Sequence, residues 1–324
     1  MKPHIPARVA AVALFCVTTL AYGQATVFPN RAIRIVVPLA PGGAIDAVAR
    51  LLAPPFTEQF RQSVVVDNRP GGATNIGTEI VAKAAPDGHT LLVTNSAPVV
   101  NVSLYPKLPF HFQRDIAPIS LIATTPLVLV AHPSLPAKNV KALIALAKTR
   151  PDQIAFGSAG ISSPAHICGE LLNLMAGTRM IHVPYKGGGP LLTDLLGGQI
   201  MIAFSGLLTA PQYEQSGKLR VLGHSGAQRL ASLPNMPTIA ESGVPGYELV
   251  GYFAIFATGG TPADIIARLN AETVRALHMP DVRKRITDSG AQISAGSARE
   301  LEGFVAKEIE KYARLVRAAN IRSE

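Results

Sequence analysis

The chain has 324 residues, a hydrophobic fraction of 48% and a formal charge of +9 at pH 7. That length exceeds what one core usually organises, so two lobes are expected, and the apolar fraction excludes a disordered polymer. The positive charge is not gathered into basic blocks with interleaved aromatics and no zinc-type spacing occurs, which argues against nucleic acid and leaves small anions or an acidic membrane partner.

At the N-terminus, Lys2 and Arg8 precede an apolar run from Val9 to Tyr22, and Ala21-Tyr22-Gly23 places small residues at a cleavage position. This pattern predicts a signal peptide over residues 1–23, removal after Gly23 and a periplasmic mature protein. The run of 14 residues falls short of the ~20 that a spanning helix needs. Cys16 lies within it behind the bulky Phe15, which disfavours lipidation. Cys168 then remains alone, without a disulfide partner, inside an apolar helical pattern that predicts burial.

Apolar strand-like runs then alternate with helical patterns, the signature of mainly parallel sheets flanked by helices. Ile33 to Val37 reads as a strand, Pro41-Gly42-Gly43 as a tight turn, and Ile45, Val48, Ala49 and Leu52 as one face of a helix that Pro54-Pro55 should kink or stop. A strand at Val64 to Val66, a helix from Ile76 to Lys83 and a strand at Thr90 to Val93 follow. A second series starts at Leu127 with a strand to Ala131. It continues with a helix from Asn139 to Thr149, a strand at Ile154 to Phe156 and a helix capped by Ser163 with Pro164 at its first position. Further strands are expected at Met180 to Val183, Ile200 to Phe204, Leu219 to Leu222 and Phe253 to Ala257, with a short helix from Pro190 to Leu196. Helices from Pro262 and Pro280 come next, and the last opens on a capping box, Ser297 with Glu300. Candidate hinges near Ala123 to Ala131 and Val250 to Ala257 divide the chain into lobe I, residues 24–126 plus 252–324, and lobe II, residues 127–251. Two crossings of this kind suit a clamshell that closes on a ligand.

In open α/β sheets a ligand sits beyond the carboxyl ends of the strands, where helix N-termini present free N–H groups. Pro41-Gly42-Gly43 is one such loop, with Asp46 placed to cap the following helix. Ser96 and Ala97 follow the strand ending at Val93. Gly157 to Ser163 joins hydroxyls to a helix start at Pro164 and is the strongest anion site, with His166 in the first helical turn. Tyr185 to Gly189 joins strand to helix again but lacks the order of a phosphate-binding loop. These sites call for no metal and no cofactor.

Several segments together resemble the Bug family, the extracytoplasmic receptors of tripartite tricarboxylate transporters. They include Pro41-Gly42-Gly43 with Asp46, Asn68-Arg69-Pro70-Gly71, Ala84-Ala85-Pro86-Asp87-Gly88 and Gly157-Ser158 through Gly169-Glu170-Leu171. His182-Val183-Pro184-Tyr185-Lys186-Gly187, Asp194 to Gly198 and Glu241 to Tyr247 complete the set. The resemblance implies a two-lobed, type II periplasmic-binding fold that holds a small carboxylate between the lobes through loop N–H groups, hydroxyls and water. Carried over, the ligand-binding residues are Pro41, Gly42, Gly43, Asp46, Ser96 and Ala97 in lobe I, and Ser158, Ser162, Ser163, His166, Tyr185 and Ser205 in lobe II. Met201 and Ser205 stand where family members commonly carry aspartates, which points away from an amine-bearing ligand. The expected partners are membrane transporter subunits or, alternatively, a sensor kinase, and the chain is expected to act as a monomer. The enzyme alternative is a secreted serine hydrolase built on Gly223-His224-Ser225-Gly226-Ala227, one residue short of a nucleophile elbow. Only His278 follows as a base, so Ser225 is expected to be an ordinary loop residue and the protein to have no catalytic residues.

Overall fold

The computed structural model describes residues 28–206, 210–230 and 233–323; the predicted signal segment and its Cys16 lie outside the described residues. In chain order the first part holds β1 (Ile33–Val37), α1 (Ala44–Phe60), β2 (Val64–Asn68), α2 (Asn75–Ala82), β3 (Thr90–Thr94), α3 (Ala97–Leu104) and α4 (Phe112–Asp115). A long strand, β4 (Ile116–Ala131), leads into α5 (Val140–Thr149), β5 (Ala155–Ser158), α6 (Pro164–Ala176), β6 (Ile181–Pro184) and α7 (Gly188–Leu196). Then come β7 (Ile202–Gly206), α8 (Ala210–Gln215) and β8 (Arg220–His224). The chain closes with β9 (Val250–Thr258), α9 (Ala263–His278), α10 (Pro280–Asp288), β10 (Gln292–Ile293) and α11 (Ala298–Ala318).

The strands pair in the order β2-β1-β3-β9-β4-β7-β5-β6, with β8 and β10 also joined to β4. β4 belongs to two sheets. Its residues from Ile116 to Pro126 pair antiparallel with β9, and those from Leu127 to Ala131 pair antiparallel with β7 and, from Val128, with β8. β1 is parallel to β2 and β3, and β5 is parallel to β6 and β7. Because β3 and β4 are both antiparallel to β9, they run the same way, whereas β5, β6 and β7 run against β4. The carboxyl ends of β1 and β3 therefore face those of β5, β6 and β7 across the middle of β4. The loops that follow these strands meet at that junction, the position where open α/β sheets take ligands.

Two apolar clusters hold the first sheet. On one face, Ile33, Ile35 and Val37 pack with Ile45, Val48, Ala49, Leu52 and Phe56 of α1. Leu52 and Phe56 are fully buried, each contributing ~1.5–3 kcal/mol, and Leu52→Ala would leave a cavity costing ~2–5 kcal/mol. The other cluster runs from Val36 and Leu92 through Leu301, Val305 and Tyr312 of α11 into Phe156, Ile167, Cys168 and Leu172 of the second sheet's layer. Cys168 is completely buried, and burial pushes its thiol up to about 12, so it is an unreactive core residue.

Three expectations change. The prolines do not end α1, which runs through Pro54 and Pro55 to Phe60. Phe56 and Phe60 are buried edge-to-face at 5.6 Å, and the Pro55 carbonyl accepts from Arg275, so the last turn is held from outside the helix. β4 begins eleven residues earlier than Leu127 and continues past Pro118 and Pro126, with register shifts between Pro118 and Ser120 and between Leu121 and Ala123. Such irregularities accommodate residues that cannot donate to the ladder. The Ser96-Ala97 segment opens a helix, α3, where only a polar loop was expected.

Candidate functional site

The loop between β1 and α1 is exposed at Pro41 and Gly42 and half-buried at Gly43. Gly42 has φ +85°, where a side chain would be strained, and α1 starts at Gly43 with no side chain capping it. Asp46 does not serve as the N-cap. It sits in the first turn, 4% exposed, where its Oδ2 accepts the Gly42 N–H at 3.0 Å and Arg50 Nε at 3.0 Å. Arg50 also reaches Asn68 Oδ1, and Asn68 in turn donates to the Leu39 carbonyl. Burial would raise the Asp46 carboxyl, but the bonds from Arg50 and Gly42 outweigh it and hold the group below its ordinary range. Asp46 is thus an ionised staple beneath the loop, and the open helix start above it is what faces outward.

Ser96 is completely buried and lies beside Tyr312 of α11, so its hydroxyl is turned to the core. The Ala97 N–H donates to Asn95 Oδ1 at 2.9 Å and is occupied internally.

Across the junction, Ser163 caps α6 as expected, its Oγ accepting the His166 N–H at 3.3 Å. Ser162 adopts φ +61°, donates its hydroxyl to the Ile161 carbonyl at 2.6 Å and its N–H to His166 Nδ1 at 3.1 Å. Ser158 Oγ lies 2.7 Å from His182 Nε2 and accepts the Gly160 N–H at 3.1 Å. The hydroxyls of Ser158, Ser162 and Ser163 therefore build the loop from within. His166 is 4% exposed and stacks on His182 with ring centroids 3.8 Å apart. Tyr185 donates to Asp194 Oδ2 at 2.9 Å and is half-buried, as is Ser205 opposite Val128 in the ladder. Gly187, Gly188 and Gly189 open α7 with free space where their side chains would stand. Residues 38–43, 95–96 and 159–163 contain no lysine or arginine, and the Tyr185–Gly189 loop carries one exposed lysine, Lys186.

Sequence reasoning assigned no role to Arg50, Asn68, Asp194 or His182. The i, i+4 spacing of Asp46 and Arg50 was available as a signal. The role of His182 is not legible in its motif, because only the parallel pairing of β5 and β6 brings it to Ser158.

Ser225 lies in the loop that follows β8, as expected, but it is not an exposed loop residue. It is fully buried, its Oγ accepts the Leu127 N–H at 2.9 Å and donates to the Leu249 carbonyl, and His224 Nδ1 is taken by the Gly226 N–H. A nucleophile needs an exposed hydroxyl beside a base, and Ser225 has neither. Among the described residues no group of His, Cys, Asp and Glu side chains comes together to hold a metal, and no helix is long and apolar enough to cross a membrane.

Two sheets sharing one strand, with opposed strand-to-helix loops rich in neutral donors, define a solute-binding receptor of the periplasmic-binding type. The chain belongs to the tripartite tricarboxylate transporter family receptors, TctC, whose sequence profile matches residues 48–321. It is 38% identical over 296 residues to BugT of Bordetella pertussis, covering 91% of each chain. Among solved structures it is similar to R. palustris Rpa4515 with adipate, at 33% identity and TM-score 0.86, covering 91% of this chain and 99% of that one. It is also similar to MatC from Rhodopseudomonas palustris with bound malate, at 32% identity and TM-score 0.84, covering 89% and 100%. Such coverage makes the match one of whole architecture, and it bears out the two-lobed fold and the receptor class read from the sequence.

Proposed function

We propose that this protein is a periplasmic receptor that closes on a small dicarboxylate and delivers it to the membrane subunits of a tripartite transporter, without chemical change to the ligand. The observation that carries this reading is the opposition of two anion-receptive helix starts, α1 at Gly43 and α6 at Ser163, on sheets whose carboxyl edges face each other. One carboxylate per helix start uses both, and neutral N–H donors suffice for each. Adipate and malate, the acids in the two similar structures, are both dicarboxylates. Met201 and Ser205 supply no charge for an ammonium group, which favours plain organic acids over amino acids.

The proposed lobes are residues 24–126 with 252–324, and residues 127–251, pivoting where β4 changes partners at Pro126 and Leu127 and where the chain returns at Leu249 and Val250. The N-terminal segment would direct export and leave at Gly23. Thermal-shift measurements on residues 24–324 against di- and tricarboxylates, aromatic acids and amino acids, followed by calorimetry, test the proposal, because a ligand selective for the folded state raises Tm. One dicarboxylate bound per chain and recovered unchanged is the expected result. Preference for an amino acid, or turnover of any acid, would overturn it.

A further inference from the structure

Behind the Gly157–Ser163 loop lies a stack of three rings. Parallel pairing of β5 with β6 sets Phe156 opposite His182, with ring centroids 5.1 Å apart, and the first turn of α6 lays His166 over His182 at 3.8 Å and 13°. α6 is pressed onto this stack at Gly169, where an added Cβ would stand 2.1 Å from Phe156. The polar edges of both imidazoles face the loop. His182 Nε2 meets the Ser158 hydroxyl at 2.7 Å, and His166 Nδ1 accepts the Ser162 N–H at 3.1 Å. That second bond fixes the proton of His166 on Nε2, the side of Glu170, whose Oε1 is 3.9 Å away. It also supports the left-handed backbone of Ser162, a conformation that serine rarely adopts.

We propose that His182 and His166 are positioning residues for ligand capture: two neutral stacked rings that hold the Ser158 hydroxyl and the Ser162 amide from behind, without touching the ligand themselves. The inference rests on the receptor reading above, since it concerns the loop assigned to the ligand there. The ionisable groups facing His166 are His182 from β6 and Glu170 from its own helix; against His182 stand His166, the uncharged Phe156 and the Ser158 hydroxyl. Burial pushes His182 down to about 4, and burial together with the neighbouring His182 pushes His166 down to about 3. A proton on His166 Nδ1 would displace the Ser162 N–H, so the arrangement works only while both rings are neutral.

The first experiment uses ligand-free protein, so that it stands apart from the receptor reading. Long-range nitrogen–proton correlation spectra between about pH 6 and 8 should show both rings neutral, His166 carrying its proton on Nε2, and the Ser162 amide should exchange slowly with solvent. A ring titrating near the ordinary histidine value, or a Ser162 amide exchanging as freely as an open loop, overturns the proposal. The second uses calorimetry with adipate and malate as probes on wild type, H182L and H182Q. Loss of one positioning bond should weaken binding about tenfold in H182L, while H182Q, whose amide reaches the position of the lost Nε2, should stay within about threefold of wild type. Unchanged affinity in a folded H182L, or H182Q as weak as H182L, overturns it. Should H182L fail to fold, H182Q and the wild-type spectra decide. If wild type binds neither acid, it is the dicarboxylate reading that fails, and the ligand-free spectra still decide the role of the histidines.

Discussion

The loop at Gly42 and the loop at Ser162 occupy equivalent places on opposite sheets, and each presents a helix start to the same junction, yet they are fixed by different physics. Beneath Gly42 lies an ionised carboxylate, Asp46, shared between a backbone N–H and Arg50, and the loop above it is open: an added Cβ at Gly42 meets nothing within 4 Å. Beneath Ser162 lie two neutral imidazoles in a tight ring stack, and an added Cβ at Gly169 strikes Phe156 at 2.1 Å. The tip of one loop is held by charge and stands open at Gly42; the other is backed by tight ring packing against its helix. Tight packing behind a half-site preorganises its donors and lowers the cost of ordering them on binding.

The largest expected effect tests the packing side of this contrast. Gly169→Ala should force α6 off Phe156 and cost ~3 kcal/mol or more, whereas Gly42→Ala, which meets open space and only backbone strain, should cost ~1 kcal/mol. Urea denaturation of the two variants checks the difference. Equal losses would remove the asymmetry.

Acid separates the two loops by their charges. Asp46 is held below its ordinary 3.8, so its contribution is intact above that pH and is lost only as pH falls beneath it. His182 and His166 are held near 4 and 3 against 6.5 in the unfolded chain, so their contribution is intact above 6.5 and declines as pH falls from there toward those folded values. Between about pH 6 and 5 the second loop should lose stability while the first does not, at up to ~1.4 kcal/mol per pH unit for each ring, and His224, which burial also lowers, adds to the total slope. Denaturation of wild type and H182Q at several pH values measures it; the variant should show a shallower slope, and parallel slopes would mean that the rings are not held neutral.

Between the loops stands Ser225, which ties the middle of β4 to the approach to β9 through Leu127 and Leu249. Ser225→Ala leaves a buried N–H and a buried carbonyl without that hydroxyl and should cost ~2 kcal/mol while abolishing no catalysis. Chemical denaturation reads the loss. Stability unchanged within error would mean that the junction tolerates the missing bond, and the two crossings would then be less tightly held than the geometry implies.

What could be read in advance divides along the same line. Ser163 with Pro164, and Ser297 with Glu300, announce their helices because capping is local in sequence. The glycines at 42 and 43 point to a tight turn for the same reason. Long-range facts were not legible. The strand from Leu127 is legible but its first eleven residues are not, because only pairing with β9 shows that β4 runs on through Pro118 and Pro126. Ser96 looks like a ligand hydroxyl until α11, more than two hundred residues later, covers it. His166 reads as a contact and His182 as nothing in particular, because their stacking depends on strands and a helix whose packing no local pattern specifies.

The smallest expected effect is also the one that decides how the second helix start is used. Ser163→Ala removes the N-cap of α6, and a lost cap costs ~1 kcal/mol of stability. In the structure the Ser163 hydroxyl accepts the His166 N–H and is only 7% exposed, so its role is to hold the first turn rather than to face the ligand. Binding of adipate or malate, measured by calorimetry well below the melting temperature, should therefore weaken no more than about threefold, even though the melting temperature falls. A tenfold loss of affinity at equal foldedness would instead place the hydroxyl on the ligand in the closed state. The cap would then be exchanged for the carboxylate on closure, and the second loop would prove less rigid than its ring stack makes it.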